Sequence, residues 1–112
     1  MVRLAAGLPK RDAMTHLVLE YRLSADYLER RPEFRGEHLA LLEAATQRGV
    51  FVLGGALPDP FDRAMMVWTE DAAEDIEAFV AADPYVRHGL VESWQVRTWN
   101  TVVGTAMDTA QL

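Results

Sequence analysis

A histidine and an aspartate occupy positions that a globular helix ordinarily gives to apolar residues. In "PEFRGEHLALLEAATQ", Phe34 is followed four residues on by His38 and three further by Leu41, so His38 lies on an apolar stripe. In "EDIEAFVAADPY", the stripe of Ile76, Phe79 and Val80 reaches Asp83 three residues later. Burying either group alone would cost on the order of several kcal/mol or force it neutral, whereas a His–Asp hydrogen bond satisfies both. A carboxylate that accepts from one ring nitrogen fixes the tautomer and leaves the other nitrogen free to take a proton from a substrate. That is the chemistry of a general base and its orienter. Each residue also has a structural reading. A histidine on an apolar face can be a core residue bonded to a backbone carbonyl, and Asp83-Pro84 can be a helix cap followed by a favoured first helical residue.

Other side chains could serve such a centre. Arg35 stands one turn before His38, where a guanidinium can clamp an anionic or phenolate oxygen or simply be solvated. Gly54 and Gly55 can let a ligand approach the backbone, or can form a bulge or turn. Tyr85 can donate to a ligand or pack its ring against a sheet. His88 is expected to be exposed at the "HGL" turn. Trp68, Trp94 and Trp99 are expected in the core or on a dimer face, with one able to line an aromatic-binding pocket. His16, His38 and His88 show no paired ligand spacing, so no metal site is expected. A phosphate loop, a dinucleotide fingerprint and a GxSxG elbow are all missing from the sequence, and no cofactor is expected.

The elements that must position these residues are legible from periodicity. "THLVLEYRL", residues 15 to 23, alternates as a strand with Leu17, Leu19 and Tyr21 on one face. The polar stretch 24 to 33 leads into a helix with Phe34, Leu41, Leu42 and Ala45 inward, and Gly49 suits its C-terminal cap. "VFVLGG" and "RAMMVWT" read as a strand pair joined by "ALPDPFD". "EDAAEDIEAFVAA" reads as a second helix with a solvated acidic start, and "SWQVRTWNTVV" as a last strand. The order is β-α-β-β-α-β, a ferredoxin-like α+β sandwich with both helices on one face of a four-stranded antiparallel sheet. "AMMVW" and "VFVL" carry apolar residues on both faces, so a homodimer that buries the uncovered face is expected.

Composition narrows the function classes. The chain has 112 residues, the size of one domain, with a net charge of −6 and its basic residues scattered, which argues against nucleic acid as a partner. No apolar run reaches the length of a membrane span, and "LAAGL" is too short for a signal-peptide core. Cysteine is absent, which removes disulfides and thiol nucleophiles. A soluble, cytoplasmic protein is the expectation. Residues 1–13 form a basic leader before Met14, read as an extension; residues 14–103 form the domain, and 104–112 a tail.

The run "RGEHLALLEAATQRGVFVLGGAL" followed by "FVAADPYVRHGLVESWQVRTW" resembles the YciI-like (YCII-related) family over about residues 14 to 103. The resemblance rests on Arg35-x-x-His38-Leu39, the glycine pair after the second strand, and Asp83-Pro84-Tyr85 with a following Gly-Leu. It implies a ferredoxin-like fold that pairs into a dimeric α/β barrel, with a pocket where the family's His and Asp, here His38 and Asp83, come together. One member of the family eliminates chloride from a chlorinated hydroxyquinol. The "LPDPFD" loop and the leader depart from the family pattern.

Three functions compete at this stage. The first is a cofactor-independent lyase of dehydrochlorinase or dehydratase type, or an isomerase, in which His38 oriented by Asp83 deprotonates a hydroxylated aromatic; Arg35 or backbone amides near Gly54 would stabilise the oxyanion. The second is a cofactor-free monooxygenase of a related dimeric-barrel type. The third is a non-catalytic module that binds a small ligand.

Overall fold

The computed structural model describes residues 15–107. The leader at residues 1–13 and the end of the tail at 108–112 lie outside the described residues. The order is β1 (Thr15–Leu23), α1 (Tyr27–Gln47), β2 (Phe51–Leu57), β3 (Arg63–Thr69), α2 (Ala73–Ala82), α3 (Pro84–Arg87) and β4 (Val91–Asn100). The four strands form one sheet in the order β2-β3-β1-β4, every neighbouring pair antiparallel. This is the ferredoxin-like arrangement, with the short α3 inserted before the last strand.

One side of the sheet meets the helices. Leu17, Leu19 and Tyr21 of β1 stand directly across from Trp68, Met66 and Ala64 of β3, so all six share a face. Leu19, Tyr21, Met66 and Trp68 form a single core with Leu42 and Ala45 of α1 and Ile76, Phe79 and Val80 of α2. The opposite face carries Val18 and Glu20 of β1, Met65 and Val67 of β3, and, by register, Leu53 of β2 and Trp99 of β4.

Several boundaries differ from the sequence expectation. The first helix begins at Tyr27, two turns early, and carries Pro32 inside it. A proline there removes one helical N–H, and Leu28, whose carbonyl loses that donor, is exposed. At the other end Gly49, at φ 82°, donates to the Thr46 carbonyl while Val50 donates to that of Ala45. These two bonds make a Schellman motif that turns the chain directly into β2. The second strand runs on to Leu57, the second helix begins at Ala73 after a turn, and β4 spans Val91–Asn100 rather than 93–103. The glycine pair lies inside β2 opposite Met66 and Met65, and the register shift falls between Phe51 and Leu53 instead.

Candidate functional site

α1 presents Tyr27, Arg31, Arg35, His38 and Leu42 along one face, at successive steps of four, four, three and four residues. That face overhangs the β1–β3–β2 side of the sheet and encloses a pocket of about 220 Å³. Its floor includes Tyr21, Ala64, Met66, Gly54 and Gly55, and its rim includes Tyr85 from α3 and Phe61 from the β2–β3 loop.

Asp83 stands behind the pocket at the junction of α2 and α3. Its backbone leaves the helical region (φ −68°, ψ 120°) because α2 ends there, and Pro84 opens α3 with the φ a first helical residue needs. The side chain is fully buried, and three donors surround it. The Tyr85 backbone N–H donates to Oδ1 at 3.1 Å, the helix-capping bond. His38 Nδ1 lies 2.9 Å from the same oxygen. The Tyr21 hydroxyl donates to Oδ2 at 2.6 Å. Cap and partner are therefore one residue in two simultaneous roles.

An ionised carboxylate can only accept, so the proton between the two side chains belongs to His38 Nδ1. In the neutral ring this leaves Nε2 as the unprotonated nitrogen. The imidazole plane is held from one side by the Tyr85 ring, stacked at 3.9 Å between centroids and 12° between planes, with Phe79 tilted against it at 5.8 Å. His38 is only 9 % exposed, and it lines the pocket. Orientation, tautomer and access are thus all fixed by neighbours.

Two phenols feel this environment. Burial first, then the negative charge of Asp83 and the hydrogen bond to it, hold the Tyr21 proton far above the ordinary tyrosine range. Burial pushes the Tyr85 hydroxyl up to about 12; Tyr27 and Asp83 act in the same direction, while Arg35 and Arg31 pull it down.

Of the residues singled out from sequence, His38 and Asp83 are in contact, and Arg35, Gly54, Gly55 and Tyr85 all line the same pocket. Tyr85 packs on His38 rather than on the sheet. His88 is exposed and stacks on Phe34 at 4.4 Å, away from the pocket. Trp68 is buried in the core, whereas Trp94 and Trp99 are about half exposed, at 44 % and 52 %. Sequence reasoning missed Tyr21, Tyr27, Arg31 and Phe61. Tyr21 was readable as an inward strand residue, and its hydroxyl, needing a partner once buried, was the available signal. Arg31 was hidden because the helix was expected to begin after it. Among the described residues, no three His, Asp or Glu side chains gather where they could hold a metal ion, and no helix is long and apolar enough to cross a membrane.

The sequence profile of the YCII-related domain matches residues 14–100. No curated protein matches the chain. Among solved structures, 5-chloro-2-hydroxyhydroquinone dehydrochlorinase from Burkholderia phenoliruptrix AC1100, in complex with 2,5-dihydroxybenzoquinone, aligns with a TM-score of 0.63 and 19 % identity over 83 % of this chain and 99 % of that one. A NIPSNAP family protein from Agrobacterium tumefaciens C58 aligns at 0.53 and 17 % identity, over 84 % and 88 % of the two chains. A candidate antibiotic biosynthesis monooxygenase from Deinococcus radiodurans aligns at 0.50 and 14 % identity, over 85 % and 97 %. At these identities the likeness is one of fold.

Proposed function

The chain belongs to the YCII-related family, and from that premise we propose that it is a cofactor-independent enzyme in which His38 acts as general base on a small hydroxylated aromatic compound. The observation that carries this reading is the bond from His38 Nδ1 to the buried Asp83, which leaves Nε2 as the ring's proton acceptor. In the reaction, Nε2 takes a proton from a ring hydroxyl or from carbon next to a developing carbonyl. Arg35 stabilises the resulting oxyanion. A phenolate so formed is reprotonated on a ring carbon, which completes an isomerisation; where that carbon bears the leaving group, loss of a second proton from a conjugated hydroxyl re-forms the double bond and expels it, as in a dehydrochlorinase or dehydratase. Asp83 holds the ring and stabilises the imidazolium that forms. The pocket is smaller than the roughly 300–1,000 Å³ of sites for drug-sized ligands, which suits a single ring.

The dehydrochlorinase of like fold suggests the ligand class to screen first, chlorinated and unsubstituted hydroxyhydroquinones. Once a substrate is found, His38→Ala is expected to lower turnover by about 10²–10⁴-fold, the usual worth of a general base. Full turnover in that variant would remove the base from the mechanism. Turnover that stops without oxygen, with oxygen consumed in step with product, would replace the elimination by a cofactor-free oxygenation.

We further propose that the domain works as a homodimer through the sheet face opposite the helices. Leu53, Trp99 and Leu57 are 61 %, 52 % and 47 % exposed. By strand register all three lie on that face.

A further inference from the structure

The pocket has a charge opposite to that of the chain. The sequence carries 17 acidic residues against 11 lysines and arginines, yet no acidic side chain lines the pocket, while Arg31 and Arg35 both do. Asp83 stands behind the pocket without pairing with either arginine; its oxygens accept from Tyr21, His38 and the Tyr85 N–H. The ion pairs of the described residues use Arg30, Arg48, Arg87 and His38, so neither pocket arginine has a carboxylate partner among them.

Arg31 is also held in place. Its guanidinium carbon lies 5.5 Å from the Tyr27 ring centroid and 5.7 Å from that of Phe61, so two aromatic faces fix it where cation–π attraction favours it. A strut between helix and loop would account for Arg31 alone. It does not account for Arg35, one turn along, facing the same pocket with no hydrogen-bond or ionic partner among the described residues. Two adjacent guanidinium forks beside aromatic walls match a planar carboxylate, which accepts such donors in pairs.

We infer that the substrate of this pocket carries a carboxylate in addition to the hydroxyl that His38 deprotonates: a single-ring hydroxylated aromatic acid, with the carboxylate on Arg31 and Arg35 and the ring against Tyr27, Phe61 and Met66. The inference rests on the reading of the pocket as a substrate site, and it names the substrate class. A substrate with only hydroxyl groups would leave Arg31 uncompensated in the complex.

The test compares binding of 2,5-dihydroxybenzoate and of hydroquinone to the full chain by anaerobic calorimetry, in the native protein and in Arg31→Gln and Arg35→Gln. The dihydroxybenzoate is expected to bind the native protein at least about tenfold more tightly, in keeping with charge-assisted hydrogen bonds. Each substitution is expected to remove most of that advantage, read as the ratio of the two affinities. Should Arg31→Gln unfold, Arg35→Gln, at the solvent-exposed part of the pocket lining, carries the comparison alone. Equal affinity for the two ligands, no saturable binding of the acid, or unchanged affinity for it in both variants would overturn the inference. Failure of the carboxylate preference with His38 still required for turnover leaves the general base standing. Arginine-dependent binding of the acid with turnover indifferent to His38→Ala leaves the carboxylate site standing and removes the base.

Discussion

At the scale of single residues, the centre depends on a buried carboxylate whose three donors come from three elements, β1, α1 and α3. Removing one donor leaves part of a charge unsatisfied, which costs more than the bond itself contributed. Tyr21→Phe should therefore lower unfolding free energy by about 1.5–3 kcal/mol, the range for hydrogen bonds to charged groups, with a folded protein still seen in the tyrosine-independent signal of buried Trp68. A loss below about 0.5 kcal/mol in denaturant titration would mean that Tyr21 contributes nothing to Asp83. The same geometry predicts that the neutral His38 ring carries its proton on Nδ1, and that Asp83→Ala shifts it toward Nε2; nitrogen chemical shifts of the imidazole report this directly. The phenols give a pH dependence. Tyr85 ionises at about 12 in the folded chain against 10 in the unfolded one, and Tyr21 is raised further still. Protons thus leave the unfolded state first, and stability is full below pH 10 and falls as pH rises through 12. Tyrosinate absorbance of these two residues should consequently appear together with unfolding, and an ultraviolet titration that shows them ionising at pH 10 in a folded protein would contradict it.

At the scale of elements, the glycines of β2 separate two effects that the sequence merged. A Cβ on Gly54 would sit 2.8 Å from Phe51 Cζ, 2.9 Å from Met66 Cγ and 3.1 Å from the Met65 carbonyl, whereas one on Gly55 meets nothing within 4 Å. Gly54→Ala should cost about 1–3 kcal/mol, as overpacking does, and narrow the pocket floor. Gly55→Ala should be near neutral, and equal losses of Tm in the two variants would refute the distinction. The pair was legible as special because glycines let a ligand approach the backbone or form a bulge or turn, although it was expected at the end of the strand and lies inside it. Which of the two was constrained was not legible, since that depends on Phe51 folding back past the register shift of β2. The strands and the second helix were readable because alternation and a stripe of Ile76, Phe79 and Val80 survive without context. The start of α1 was not. Pro32 and the charged run from Glu29 to Glu33 look like a loop, and the helix gains its first turns from tertiary contacts, Tyr27 buried against Phe61 and Tyr85 and Arg31 laid over Tyr27. His38 and Asp83 were both found because a polar residue on an apolar stripe breaks a pattern. Tyr21 and Arg31 broke none.

At the scale of the whole molecule, the sheet has one face covered by helices and one that offers Leu53, Leu57 and Trp99 to solvent around the buried pair Val18 and Val67. An antiparallel sheet can keep one face in water when that face is polar. Here it is mixed: Glu20, Arg22, Arg63 and Arg97 share it with the apolar residues by strand register. A second copy meeting it about a two-fold axis would cover the apolar part and can bring Glu20 of one chain toward an arginine of the other, since a self-complementary contact needs both signs on one surface. Sheets packed in this way lie about 10 Å apart, with side chains of both filling the gap. Leu53 is the most exposed of the three apolar residues, and a lysine there would have to be buried without a partner. The native chain is therefore expected to sediment as a dimer at micromolar concentration, and Leu53→Lys as a folded monomer with an unchanged His38 tautomer, because the pocket lies on the other side of the sheet. A native protein that sediments as a monomer would remove the dimer, and a variant that stays dimeric would move the interface to another surface.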